Sequence, residues 1–528
     1  MRKHLTLAIV ILILATGALA YAVWIYPAAA REPIEQFEQL DRAARTEPDY
    51  SGTVIPPNIA PLNFLIDEAG TSFCARISAP RGASIEVFSR EGAIRIPEPS
   101  WRDLLALNKG QDLQIEVFVK TEQGVWQRFE PTRSRIVAEE IDGYLVYRKM
   151  YPTHLRVRGT IDICCRDLSN FDESIVLSST SYENGCVNCH AFPQNRADKM
   201  LLGVRSKKYG VGTLFVEDGK VREIGTKFGY TSWHPSGRMA VYAVNNLPMF
   251  YHAARNEVRD TVNIDSLLAY YLCDEQRCGV EPKLAQKERL ENWPAFSADG
   301  KYLYFCSAPK LWPNDTPNPP DKYDQVKYDL LRIAYDLETN TWGEIETVLS
   351  ARQTGKSVSM LRCSPNGRWL SFCLIDYGYF AGWKAESDLY VIDLQAAEQT
   401  GQFTYRPLEV NSDTAESWHT WSSNSRWIVF SSKRLHGGFT RPFLSYVDAT
   451  GKAHKPFVLP QKAPRHYGAC LRTFNTPELV TTAPKRTGEA LAKVFRGPDE
   501  IAVSMPITMA TPSANREAMG TATWQQRE

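Results

Sequence analysis

Cys186, Cys189 and His190 stand in the order Cys-Val-Asn-Cys-His. Two thiols separated by two residues, with an imidazole directly after them, is the order in which a porphyrin is tied to a polypeptide. The thiols add to the two vinyl groups, and the histidine offers a ring nitrogen to the iron. The spacing predicts one short turn across Val187 and Asn188, with His190 under the metal. A random order of this composition, with 11 Cys and 9 His in 528 positions, produces about 0.004 such strings. The expectation is one covalent haem c. Two other chemistries use the same spacing. A redox dithiol sits at a helix N-terminus after a strand, whereas Glu183-Asn184-Gly185 before this motif reads as a loop. Zinc needs four ligands, and the nearest further thiols are the vicinal pair Cys164 and Cys165.

The second axial position decides what a haem does. Met200, ten residues beyond His190, is one candidate sixth ligand, and the competing reading makes it a core residue of a strand. His252, in Phe250-Tyr251-His252, is the other. His234 is weaker: it lies in a repeated turn, which Trp418-His419 echoes, and that repetition suggests a structural task. Arg196, Arg205, Lys207 and Lys208 follow the motif closely. They are either counter-charges for haem propionates or a solvated loop face.

Haem c is attached outside the cytoplasmic membrane, so the motif requires export. Arg2, Lys3 and His4 precede an uncharged run from Leu5 to Tyr26. As a helix that run spans roughly 33 Å, close to the hydrocarbon thickness. The basic start places the remainder outside. Residues 1–26 therefore read as a signal anchor, or as a signal peptide cleaved after Ala18-Leu19-Ala20. The expected location is periplasmic or extracytoplasmic, anchored to the cytoplasmic membrane if the segment is retained. Cys273 and Cys278 could close a small loop there, while Cys306, Cys363 and Cys373 sit in apolar runs and read as buried small hydrophobes. With 61 Lys and Arg against 60 Asp and Glu, charge gives no case for nucleic acid as a partner.

The elements that must position the motif are strands. Thirteen Trp, 24 Tyr and many short β-branched runs, punctuated by 32 Gly and 32 Pro, predict an all-β chain. A unit recurs. Ser232-Trp233-His234-Pro235-Ser236-Gly237-Arg238, Trp293-Pro294-Ala295-Phe296-Ser297-Ala298-Asp299-Gly300-Lys301, Cys363-Ser364-Pro365-Asn366-Gly367-Arg368 and Trp418-His419-Thr420-Trp421-Ser422-Ser423-Asn424-Ser425-Arg426 each lead into an apolar strand. Each reads as strand, tight turn, strand, with positive φ at the Gly; in the fourth copy Ser425 replaces Gly and the turn is weaker. Further strands are expected at Leu267 to Cys273, Leu330 to Leu337, Asp388 to Leu394 and Phe443 to Asp448. Four strands per unit in series is the pattern of a β-propeller.

These repeats resemble the blades of TolB-like, WD40-like propellers over roughly residues 195–485. Partial units at Met200 to Ile224 and Tyr467 to Thr482 bring the expected count to six blades, with seven as the alternative. Asp172-Glu173-Ser174, the run from Gly185 to Phe192, the blade turns and Thr440-Arg441-Pro442 together resemble exported bacterial proteins that join an N-terminal β-domain, a CxxCH segment and a TolB-like propeller. That resemblance implies a cytochrome-like propeller with an electron-transfer or sensing role. It brings no substrate.

The chain thus divides into residues 1–26, a tether at 27–50 that is partly helical, a β-sandwich-like domain at 51–158, a haem attachment segment at 159–199, the propeller at 200–485, and a C-terminal extension at 486–528 read as a flexible tail. The leading expectation is a monohaem protein passing electrons to or from a redox partner protein or membrane-associated complex. A TolB-like protein-binding scaffold or haem sensor is one alternative. A haem-dependent oxidoreductase with substrate on the propeller axis is another. No Ser-His-Asp set, paired-carboxylate motif or phosphate-binding glycine loop is recognisable, so no catalytic residue is assigned.

Overall fold

Alternating apolar and polar residues make strands throughout, and the turn glycines decide how they fold back. In the computed structural model, which describes residues 34–152, 160–253, 257–314, 316–485 and 488–497, Gly237, Gly300, Gly367 and Ser425 all have positive φ, at 69°, 76°, 75° and 57°. Each reverses the chain between the first and second strand of a four-stranded antiparallel unit. Ser425 occupies the left-handed region without being glycine, and its hydroxyl accepts the Asn366 N–H of the preceding unit at 3.0 Å.

The units follow one another along the chain. Cys186–Ala191, Lys199–Ser206, Gly210–Glu217 and Lys220–Ile224 form one sheet. Gly229–Trp233 opens the next, and Arg289–Phe296 the one after; these two are joined into an eight-stranded sheet through Ser266 and Leu290. Ser357–Cys363 and Glu416–Trp421 begin two further four-stranded sheets. In the last sheet Thr473–Val480, from near the C-terminus, pairs with Tyr144–Met150, which is followed outward by Ile161–Asp167 and Glu173–Ser178. The first strands of successive units lie side by side, and Thr473–Val480 lies beside both Glu416–Trp421 and Cys186–Ala191. The fold is all-β and propeller-like. Stacking such sheets face to face buries both faces of each, which one sheet alone cannot do.

Several boundaries differ from the sequence reading. Tyr144–Met150 belongs to the closing sheet and not to the N-terminal domain, because its partner comes from the far end of the chain. The segment 159–199 is no connector: two of its strands lie in the closing sheet, and Cys186–Ala191 is an inner strand. Residues 34–50 hold no helix. Glu38–Gln39 adds in parallel to Trp126–Arg128, and Arg42 grips Glu68 through two bonds of 2.7 and 2.8 Å. The C-terminal extension includes the helix Gly488–Arg496, whose Leu491, Ala492 and Phe495 are buried. Phe495 meets Tyr182 edge-on at 5.2 Å, four residues before Cys186. The expected tail from about 505 lies outside the described residues, as does the expected membrane segment. Among the described residues no helix is long and apolar enough to cross a membrane.

The N-terminal unit is a seven-stranded mixed sheet with a three-stranded companion, Thr46–Glu47, Phe64–Ile66 and Ala93–Ile94. The helix Glu98–Leu107 packs Trp101, Leu104 and Leu105 inward, and Trp101 Nε1 donates to the Ile59 carbonyl at 2.9 Å. Asp142 fastens this unit to the ring by accepting the Ser423 N–H at 2.8 Å, and Tyr446 donates to Glu139 at 3.0 Å.

Candidate functional site

The Cys-Val-Asn-Cys-His motif is built into an inner strand. The turn before it is left-handed at Glu183 and Asn184, with φ of 62° and 53°. Gly185 follows where no side chain fits: a Cβ there would overlap the Arg205 carbonyl and press on the Tyr182 ring. Cys186, Val187 and Asn188 then pair with Arg205, Val204 and Gly203. The backbone over these residues is extended, not the short turn that the spacing predicts. Side chains three apart on a regular strand face opposite ways. The regularity ends at Asn188, where the register shifts before Ala191 and leaves Cys189 and His190 in a β-bulge.

That bulge recurs in every inner strand. The register shifts in the same manner around Tyr230-Thr231, Trp293-Pro294, Met360-Leu361, Trp418-His419 and Thr476-Pro477. In all five the first residue has positive φ, between 47° and 55°. His190 therefore stands where the other strands place Thr231, Pro294, Leu361, His419 and Pro477. His419 is thus the counterpart of Thr231 and not, as the sequence echo suggested, of His234. Counting six residues back from each turn position, Gly237, Gly300, Gly367 and Ser425, identifies this site in the sequence. His234 itself lies beyond its strand, with Nδ1 2.7 Å from the Ser236 hydroxyl.

His190 is 4% exposed, and among the described residues neither ring nitrogen makes a well-formed hydrogen bond, although the Thr476 and Val146 backbone groups lie near enough to act on the ring. Burial, with Arg148 and Arg362 nearby, pushes the imidazole down to about 3, so the ring is neutral at ordinary pH. A buried polar group without a partner costs roughly 1–3 kcal/mol, and native cores hold few of them. Cys186 is half-buried with a free thiol, to which Asn188 Nδ2 donates at 3.5 Å. A neutral, buried imidazole four residues from a free thiol on one strand is the kind of donor set that holds a haem. Cys164 and Cys165, by contrast, belong to two separate cores, and among the described residues no three His, Cys, Asp or Glu gather as a metal site.

The other sequence candidates are placed as follows. Met200 is 1% exposed in the strand beside the motif and shares a core cluster with Val187, against which Cys186 packs. His252 lies beyond Met239–Asn246, at the end of the ring away from that strand's turn, and its Nε2 is 3.0 Å from Asp260. Asp260 also takes Lys384 and Tyr377 at 2.8 Å each. Arg196 pairs with Asp198 at 2.6 Å and Lys208 with Glu183 at 3.1 Å, while Arg205 is a ladder partner of Cys186. Cys273 and Cys278 are both free and buried, and Cys278 accepts the Tyr242 hydroxyl at 3.2 Å. Cys306 and Cys373 are fully buried and Cys363 is half-buried.

Two functional-looking residues escaped the sequence reading. Arg362 and Glu478 come from different inner strands and stand 3.8 Å apart. They line a cavity of about 400 Å³ formed where the inner strands end. Burial pushes the Glu478 carboxyl up to about 7 against the pull of Arg362. Phe192, whose ring lies 5.9 Å from that of His190, also lines this cavity. The cavity and the motif are thus neighbours across one side chain. An isolated Arg and Glu in separate repeats give no motif, so only the ring's assembly reveals them.

No family model matches the chain. No curated protein matches it either. Solved structures similar to it include an oligogalacturonate lyase from Vibrio parahaemolyticus, at 11% identity and a TM-score of 0.33, covering 73% of this chain and 100% of that one. The Kuenenia stuttgartiensis hydrazine synthase has 9% identity and a TM-score of 0.35, covering 62% of this chain and 48% of that one. A luciferin-regenerating enzyme has 9% identity and a TM-score of 0.33, covering 60% and 92%. Similarities of this size assign neither activity nor substrate.

Proposed function

We propose that the chain is an exported monohaem protein: a six-bladed, TolB-like propeller, closed by Thr473–Val480, that holds one haem c on Cys186 and Cys189 with His190 as an axial ligand. The observation that carries this reading is the neutral imidazole of His190, buried with neither nitrogen in a well-formed hydrogen bond among the described residues. A haem bound there would supply reversible one-electron chemistry. His190 keeps a lone pair available because its surroundings disfavour protonation. The bulge fixes its ring in an inner strand, and the helix Gly488–Arg496 packs over the turn before Cys186 and keeps water from that flank. Of the two candidate sixth ligands, Met200 shares a cluster with the motif, whereas His252 is held by Asp260. The function is electron transfer to or from a redox partner protein or membrane-associated complex. The location is extracytoplasmic, with residues 5–26 as anchor if uncleaved.

The second reading is a haem-dependent oxidoreductase with substrate on the axis, and the cavity beside Phe192 is what favours it. A visible spectrum separates the two. A low-spin spectrum unaffected by carbon monoxide is expected for transfer. A high-spin spectrum that shifts with carbon monoxide supports catalysis or sensing. Cys186→Ala with Cys189→Ala is expected to abolish haem staining on a denaturing gel. Staining that persists removes the assignment, and a protein partner captured without haem supports a TolB-like scaffold instead.

A further inference from the structure

The axial cavity has a charge pattern of its own. Among the described residues that line it, Arg362 is the one cation and Glu478 the one carboxylate. Their 3.8 Å separation is too long for a hydrogen bond. The Arg362 guanidinium otherwise makes a single 3.3 Å bond to the Leu361 carbonyl, and its side chain is 28% exposed. A guanidinium has five N–H donors in a planar fork suited to a carboxylate, so most of these are unspent. Trp233, Phe296 and Trp421 also line the space. Both indole N–H groups are used elsewhere, Trp233 on the Ala191 carbonyl at 3.2 Å and Trp421 on the Ser371 hydroxyl at 2.9 Å. These side chains therefore offer flat apolar surface and no donors. A volume near 400 Å³, with aromatic edges among mixed polar and apolar walls and one charged pair, is in the range of small-molecule sites.

We propose that this cavity binds a small carboxylate-bearing molecule with a flat apolar body, its carboxylate taking Arg362 in place of Glu478. The exchange is proton-linked. With Glu478 ionised, the ligand meets a cation already neutralised and a second negative charge. Once Glu478 takes a proton from solvent, Arg362 is left with an uncompensated charge for the ligand to satisfy. No covalent bond changes. Burial places the Glu478 carboxyl at about 7, so this uptake falls in the neutral range. Above that value each pH unit is expected to weaken binding about tenfold, the slope for one linked proton. The site stands on Arg362 and Glu478 and does not require the haem.

Benzoate is a direct probe, having one carboxylate on one flat ring. Calorimetric titration of the full chain with benzoate from pH 6 to 8, in a buffer of low and one of high ionisation enthalpy, is expected to show one site. Affinity should fall above pH 7, with a buffer-dependent heat that reports proton uptake. Arg362→Gln is expected to weaken binding at least tenfold. Glu478→Gln, nearly isosteric, is expected to bind benzoate with a flat pH profile and no buffer dependence, and it carries the test if Arg362→Gln fails to fold. The absence of saturable heat with the unmodified chain overturns the proposal. So does unweakened binding by Arg362→Gln, or a pH slope that survives Glu478→Gln.

Discussion

Among single residues, buried groups whose ordinary protonation the fold opposes matter most. His419 is the sharpest case outside the motif. It is 2% exposed, and its Nδ1 is 3.9 Å from the Cys373 thiol. Burial, with Arg362 adding to it, pushes the ring down to about 3. A histidine held neutral in the fold gains a proton on unfolding at any pH between that value and about 6.5. The stability it permits is complete above about 6.5 and is lost as pH falls toward 3. By pH 4.5 one such group removes up to about 3 kcal/mol. Glu478 acts in the opposite sense. Its raised carboxyl favours the fold below about 4.5, and that contribution is lost as pH rises through about 7. Thermal melts of the chain and of His419→Leu between pH 7 and 4.5 are expected to diverge, the substituted chain losing less on acidification. Parallel curves would show that His419 is not held neutral. The motif and the apolar placement of Cys306 and Cys373 were legible in the sequence because residue type and spacing alone carry them. The roles of His419, Arg362 and Glu478 were not, because each depends on which neighbouring repeat its side chain meets.

At the scale of the element, the turns were readable because left-handed backbone demands glycine or a small polar residue. Their stringency differs. Gly300 has φ of 76°, and a Cβ there would overlap the His234 ring. Gly401 has φ of 69° and open space around it. Gly401→Ala is expected to cost about 1 kcal/mol, the backbone penalty alone, and Gly300→Ala about 2 kcal/mol more from the collision with His234. Denaturant melts measure both, and equal losses would mean that the ring moves aside freely. The helix Gly488–Arg496 was missed because at nine residues it is too short to be stable alone, and its fold depends on a partner surface. Phe495→Ala, which empties the contact with Tyr182, is expected to cost about 3 kcal/mol and to raise hydrogen exchange over residues 182–191. Unchanged exchange there would separate the helix from the motif.

At the scale of the whole molecule, closure is what local patterning could not supply. Each strand-turn-strand unit announces itself, but the pairing of Thr473–Val480 with Tyr144–Met150 joins segments more than 300 residues apart in the chain. The strand content of residues 144–178 was therefore assigned to a neighbouring domain and a connector. Without the closing strand, Tyr144–Met150 and the flanks of two inner strands face water as open edges, a state prone to aggregation. A chain ending at Cys470 is expected to lose its cooperative melt and its near-ultraviolet signal. A native-like melt would show that the ring does not need this strand. Closure also brings His190 beside Val146 and Thr476, and Arg362 beside Glu478, so the site exists only in the assembled ring. The most direct test of the central claim is the intact mass of the mature chain after export from a host with haem-ligation machinery. The account predicts one added porphyrin located on the peptide that contains Cys186 and Cys189. A mature chain of unmodified mass, from a host that loads other c-type proteins in parallel, contradicts it.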